Sequence, residues 1–498
     1  MSKPFGLVCR LLSRWALLGA IVLMVPACAI HAPNQPVNRC AFKSFSLDVD
    51  QPEDTLLHPD GSPMLAGEAA RAPAERNPVP LRQIASQVLI LSGGSEHGAF
   101  GAGFLDEWRQ NRPDKQLPVF DQVTGVSTGA ILATFAFVGD DATERAVRGY
   151  RITHESELLH PFVTVKDGQP TTLSYINVLR KGALADLQPL SALLHHEGVI
   201  DDGLIEQVYA KGYAQGRQVR HLLVGVVDVD TGRARALDLT DMARQYHELD
   251  AKDPRKAVKR DCYIDAIVAS SSAPLAARPV FIDNREYIDG GARFGMFYLD
   301  TSGDDPERYR ARPLAMGQTA AQFDETMRAL GTVYIIVNGD QHVVYQCGEA
   351  AQTTCNPADA DRYADPRTHP GQHKDWKFLD LALRSEDILT NQVYRFSAAY
   401  AQAKSGQSDH EAIKFARIIS WGKRNRLDSF NPYDHLDQLQ AVDPFLAIGP
   451  HKTCNDWRDY DRQTTDPLQF YPHEMHCTIE YGRYMYLISR ASWNATPH

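Results

Sequence analysis

Gln87-Val88-Leu89-Ile90-Leu91-Ser92-Gly93-Gly94 is a short β-forming apolar run that stops in a pair of glycines. Such a run suits a strand buried on both faces of a parallel sheet. Immediately after it, Phe100, Phe104, Leu105 and Trp108 recur at near-helical spacing and predict a helix with one apolar face. The pattern then repeats. Residues 119–124 read as a second strand, and Ala130-Ile131-Leu132-Ala133-Thr134-Phe135-Ala136 as a second apolar helix. His221 to Asp228 and Thr332 to Val337 read as further buried strands. Strands alternating with helices predict a mostly parallel α/β sheet covered on both faces.

Outward from this block the signal weakens. Residues 28–84 are rich in Pro, Ala and charge with no apolar period, and read as a tether and wrapping segment. Past about residue 345, a helix is expected from Leu379 to about Ala403 and a strand from Phe415 to Trp421. The last seventy or so residues, with Trp457, Trp493 and His473-Glu474-Met475-His476-Cys477, carry no usable period and read as structural. With 43% hydrophobic and 23% charged residues among 498, the chain has ample material for a core. Its net charge of −10 and the lack of a long Lys/Arg cluster set nucleic acid aside as a partner.

Three motifs carry chemistry. Gly125-Val126-Ser127-Thr128-Gly129 sits between the second strand and the second helix, as a nucleophile elbow requires. Small residues two before and two after the serine relieve crowding at a strained turn, and the helix N-terminus favours an anionic serine oxygen. Alone, the same five residues also describe a turn that caps a helix at Ser127. Second, the glycine loop Gly93-Gly94-Ser95-Glu96-His97-Gly98 can converge backbone N–H groups on a negative oxygen. Its spacing matches neither the dinucleotide fingerprint nor the P-loop, so an acyl oxyanion fits better than a phosphate. Third, Tyr287-Ile288-Asp289-Gly290-Gly291 closes a strand and, taken alone, reads as an ordinary turn. His154-Glu155-Ser156-Glu157-Leu158-Leu159-His160 lacks the i, i+4 histidine pair of a zinc helix and reads as a solvated face. No metal and no cofactor is expected.

Taken together, the glycine loop, G-x-S-x-G and D-G-G in this order resemble the patatin-like phospholipase family. So do Ala269-Ser270-Ser271-Ser272-Ala273-Pro274 and Leu223-Val224-Gly225-Val226-Val227-Asp228. The resemblance covers residues 85–345 as a catalytic domain, with 346–498 as an extension packed on it. It implies a three-layer α/β/α fold and hydrolysis of acyl esters, phospholipids among them. It also implies Ser127 as nucleophile, Asp289 as its base with no catalytic histidine, and Gly93, Gly94 and Ser95 as the oxyanion loop. Ser95 stands where the family has a third glycine, and His97 where it has Arg or Lys. An imidazole supplies positive charge only when protonated. These departures and the C-terminal histidines leave two other readings: a catalytically silent lipid- or partner-binding lipoprotein, and a Ser-His-Asp esterase.

The N-terminus reads as an export signal over residues 1–27. Lys3, Arg10 and Arg14 precede an apolar stretch from Trp15 to Val25, too short to span a bilayer comfortably. Ala27-Cys28 resembles a bacterial lipoprotein box, which implies lipidation at Cys28, contact with a membrane surface and an outer-membrane or periplasmic location. Beyond Cys28, Cys40, Cys262, Cys347, Cys355, Cys454 and Cys477 form an even set that suggests disulfides in an oxidising compartment. Cys347 and Cys355, with seven residues between them in a polar stretch, make the most plausible local pair.

Overall fold

The computed structural model describes residues 39–47, 87–166, 169–170, 177–178, 180–196, 198–298, 332–339, 378–405, 412–417, 427–448, 452–465 and 467–494. Cys28, Cys347, Cys355, Trp421 and His451 lie outside them. Nine of the described strands form one sheet. Its parallel centre consists of β2 (Gln87–Leu91), β3 (Gln122–Val126), β4 (His221–Asp228), β8 (Thr332–Val337) and β9 (Ala412–Arg417). Beyond β4 come two antiparallel strands, β5 (Ala234–Asp238) and then β1 (Ser44–Ser46). A hairpin of β6 (Val280–Ile282) and β7 (Arg285–Asp289) hangs from β4. The order across the sheet is β1-β5-β4-β3-β2-β8-β9.

Alternation along the strands builds two cores. Leu89, Leu91, Val123, Tyr334 and Ile336 face the larger core, which they share with α1 (Gly98–Gln110), α2 (Thr128–Val138), α7 (Pro254–Ser270) and α10 (Pro472–Trp493). Val88, Ile90, Val333, Ile335 and Val337 face the other way, onto Met296 and Ala398 of α8 (Phe378–Ser405). The molecule is therefore a three-layer α/β/α stack. Its central strands are apolar on both faces because both faces are covered.

Helix ends follow local chemistry. Asp238 accepts the N–H groups of Thr240 and Asp241 where α6 (Leu239–His247) begins. Asp253 caps α7 ahead of Pro254. Gly139, at φ 76°, ends α2 in the left-handed region.

Four readings shift. The second strand runs from Gln122 to Val126, not 119–124; Val119 is 65% exposed, and the strand continues into the elbow. The strand expected at Phe415 begins at Ala412. Within 28–84, Ser44–Ser46 pairs with β5, and Cys40 is bridged to Cys262 of α7. The extension past 345 does more than lie on the catalytic domain. It contributes β9 to the same sheet, and α10 crosses α1 so closely that a Cβ on Gly103 would meet Ile479 O at 2.1 Å. Cys454 at the start of α9 (Cys454–Thr464) is bridged to Cys477 of α10. Among the described residues no helix is long and apolar enough to cross a membrane.

Candidate active site

Strand β4 is the ruler that assembles the site. Its first five residues pair with β3, the last pair being Gly225 with Val126. Its next residue, Val226, pairs with Asp289 at the end of β7. Ser127 comes directly after Val126, so serine and aspartate occupy neighbouring rows on one edge of the same strand.

Ser127 takes φ 55°, ψ −126°, a conformation that side chains rarely adopt, and opens α2. Room for that turn comes from its flanking glycines. A Cβ on Gly125 would sit 2.3 Å from Gly129 O, and one on Gly129 would sit 2.3 Å from Leu91 O. The Ala269–Pro274 stretch holds both partners in place. Ser270 Oγ accepts the Ser127 N–H at 2.9 Å and donates to Gly225 O at 2.6 Å, while Ser272 O accepts the Asp289 N–H at 2.9 Å.

Asp289 is 5% exposed. Its carboxylate accepts the Gly291 N–H at 2.7 Å, and the nearby Ser127 hydroxyl favours its ionised form. Burial pushes its pKa up to about 7, against the pull of the Ser127 hydroxyl and the Gly291 N–H, with the Glu386 carboxylate adding to the rise. A carboxylate so placed is a far better base than an exposed one.

The glycine loop lies beside the serine. Gly94 has φ 151°, and a Cβ there would meet the Asn338 carbonyl carbon at 2.4 Å, so glycine is required. Ser95, at φ 51°, adopts the backbone that the missing third glycine would take easily. Its Oγ accepts from Gln469 Nε2 at 2.6 Å. Gly93 departs from expectation as an oxyanion donor: its N–H is committed to Gly295 O at 3.1 Å. The N–H groups of Gly94 and Ser95 have no such partner among the described residues. His97 Nε2 lies 4.0 Å from Glu96, whose carboxylate also faces Arg458 at 3.6 Å. The permanent positive charge behind the loop is therefore Arg458 of α9, which reading the motif alone could not reveal. Gly98, Gly290 and Gly291 are packed beneath the loop and the aspartate; a Cβ on Gly290 would lie 2.7 Å from Gly225 O.

Ser127 and Ser95 stand at one side of an apolar cavity of about 100 Å³. Leu158, Leu159, Leu187, Leu190 and Leu194 line it, with Phe470 as another wall. The chain around Phe470 is strapped down by Glu155, whose carboxylate accepts the N–H groups of Leu468, Gln469 and Phe470 at 2.8, 2.6 and 2.8 Å. The His154–His160 stretch thus holds a cavity wall instead of forming a solvated helix face; Glu155–Glu157 is a single 3-10 turn.

The C-terminal histidines are engaged elsewhere. His476 bonds Asp443 through Nδ1 and faces Ile152 O through Nε2, both at 3.0 Å. His473 bonds Asp461 and stacks on Trp457. Among the described residues no three His, Cys, Asp or Glu side chains gather as metal ligands would.

Sequence reasoning missed Ser270, Glu155, Gln469, Phe470, Arg458 and Tyr394. The first lies in a stretch already singled out by resemblance. Glu155 lies in the His154–His160 stretch, read there as a solvated face; the others come from segments with no motif, so only the fold brings them to the site.

A search of curated proteins finds no match to the chain. Among solved structures, VipD from Legionella pneumophila is 11% identical over 84% of this chain and 89% of that one, with a TM-score of 0.26, too low to carry an argument. The family comparison is more informative. The model described as patatin-like phospholipase matches residues 89–299, a span that runs from β2 past Ser127 and Asp289, so that over these residues the chain is similar to that family.

Proposed function

We propose that this chain hydrolyses acyl esters of lipids with a Ser127–Asp289 dyad. The observation that carries the reading is a buried aspartate set on the row beside a serine on a strained strand-to-helix turn, next to an apolar cavity. Asp289 takes the hydroxyl proton as Ser127 Oγ attacks the ester carbonyl. The N–H groups of Gly94 and Ser95, with the N-terminus of α2, stabilise the oxyanion. The alcohol leaves with the proton that Asp289 had taken, and Asp289 then takes a proton from water as it attacks the acyl-enzyme, returning it to Ser127 as the carboxylic acid is released. The leucine-lined cavity receives the acyl chain. The family match over residues 89–299 supports lipid ester as the substrate class.

A fluorophosphonate probe tests the nucleophile. Mass spectrometry of the labelled protein is expected to place the adduct on Ser127, with no labelling of Ser127→Ala; an adduct elsewhere, or none, defeats the reading.

The chain is further proposed to be exported and tethered to a membrane through lipidated Cys28. The bridges Cys40–Cys262 and Cys454–Cys477 support an oxidising compartment. Intact-mass analysis of membrane-extracted protein decides it: an unmodified N-terminus at another residue rules the lipid out.

A further inference from the structure

Helix α8 delivers a side chain into the site that no motif announces. Tyr394 is 5% exposed and lies in a slot cut by three glycines from three separate segments. A Cβ on Gly295 would meet its ring at 2.5 Å, one on Gly339 would meet it at 2.6 Å, and one on Gly93 would lie 1.9 Å from its hydroxyl oxygen. That Gly93 position is also 3.0 Å from Ser127 Cβ, and a Cβ on Gly291 would be 3.5 Å from the same hydroxyl. The phenol oxygen therefore stands between the glycine loop and the Asp289-Gly290-Gly291 turn, beside the serine. The helix is clamped there, because Gly295 donates its N–H to Ser397 Oγ at 3.0 Å and accepts that of Gly93.

Two further observations give the hydroxyl a direction of use. Tyr394 takes no part in lining the acyl cavity, and its hydroxyl reaches the serine from between the glycine loop and the Asp289–Gly291 turn. In a tetrahedral intermediate with its acyl chain in the cavity and its oxyanion at Gly94 and Ser95, the alcohol oxygen points away from both. Among the described residues, moreover, the Tyr394 hydroxyl donates to no other group, and burial, then the Asp289 and Glu386 carboxylates, push its pKa well above the ordinary value. It remains a donor across the working pH range.

We propose that Tyr394 is a further catalytic residue of this site, hydrogen-bonding the departing alcohol oxygen of an alkyl ester. The proposal rests on the dyad reading above. As the carbon–oxygen bond of the intermediate breaks, its electron pair stays on the alcohol oxygen. Tyr394 holds that oxygen by a hydrogen bond while the proton that Asp289 took from Ser127 passes to it. The products are acyl-Ser127 and a neutral alcohol, and Tyr394 ends the step unchanged.

The test compares two esters of one acyl chain, a 4-nitrophenyl ester and a simple alkyl ester, in wild type and Tyr394→Phe. Phenylalanine keeps the ring in the glycine slot, and a melting curve checks the fold. Nitrophenolate leaves without help; an alkoxide does not. The variant is expected to lose at least tenfold more kcat/KM on the alkyl ester than on the nitrophenyl ester. Equal losses on both, or no loss on the alkyl ester, overturn the assignment while leaving the dyad intact, provided that wild type is active and labelled at Ser127. If wild type hydrolyses neither ester and takes no fluorophosphonate, the dyad reading and the role of Tyr394 fail together.

Discussion

Ser127 is held at a positive φ by its neighbours, a conformation that costs of order 1–3 kcal/mol for a residue with a side chain. Two variants separate that strain from the chemistry. Ser127→Ala is expected to abolish ester hydrolysis while the domain stays folded. Ser127→Gly is expected to be equally inactive yet more stable than the alanine variant by about 1 kcal/mol, measured by urea unfolding. Asp289 supplies a second pair of expectations. As the base it must be ionised, so kcat/KM should rise with pH through about 7. Stability should move the opposite way. An unfolded aspartate ionises near pH 4, and the folded one near 7, so between these values the folded state binds more protons and stability falls as pH rises. Asp289→Asn lacks this term. Its stability advantage over wild type should be absent below about pH 4, grow to a few kcal/mol by pH 7 and then level off. An advantage that stays flat across pH 5 to 8 would show that burial does not raise this group.

At the level of elements, the crossing of α1 and α10 depends on glycine from both sides. A Cβ on Gly482 would come within 2.2 Å of Phe100 O, as one on Gly103 would of Ile479 O. Backbone cannot yield as a side chain can, so Gly482→Ala is expected to cost about 1–3 kcal/mol or more and to lower the melting temperature. The strap over the cavity gives a test of specificity. Removing the carboxylate in Glu155→Ala frees the Leu468–Phe470 wall, and KM for an octanoyl ester should rise about tenfold, roughly 1.4 kcal/mol, with less effect on an acetyl ester. These elements also mark the limit of what the sequence disclosed. β2, β4 and β8 were legible because strands buried on both faces are continuous apolar runs. α10 was not, because its buried face includes Glu474, His476 and Glu480, and an apolar period cannot register buried polar groups that are paired with Arg458, Asp443 and Arg483. Ser127 and Asp289 stand in motifs that mark them as candidates. Tyr394 and Arg458 are single residues in polar helices, and nothing local marks them.

Over the whole molecule, the chain closes on itself. Residues from either side of the span similar to the family join one sheet: β1 at one edge through β5, β9 at the other through β8. The parallel pairing of β8 with β9 over six residues leaves no edge between the domain and the C-terminal residues that extend it. The Cys40–Cys262 bridge adds a covalent link across a sequence separation of 222, and Arg39 reinforces it with ion pairs to Asp261 and Asp265 at 3.5 and 3.7 Å. It gives the molecule two routes from its N-terminal segment to its body, one along the backbone and one through sulfur. A protease cutting between residues 47 and 87 would open the first and leave the second. Were an anchor attached at Cys28, such a cut would not release the enzyme from its surface. The two pieces would migrate together on a gel until a reductant parted them, so shedding this protein takes either both events or a cut upstream of Cys40.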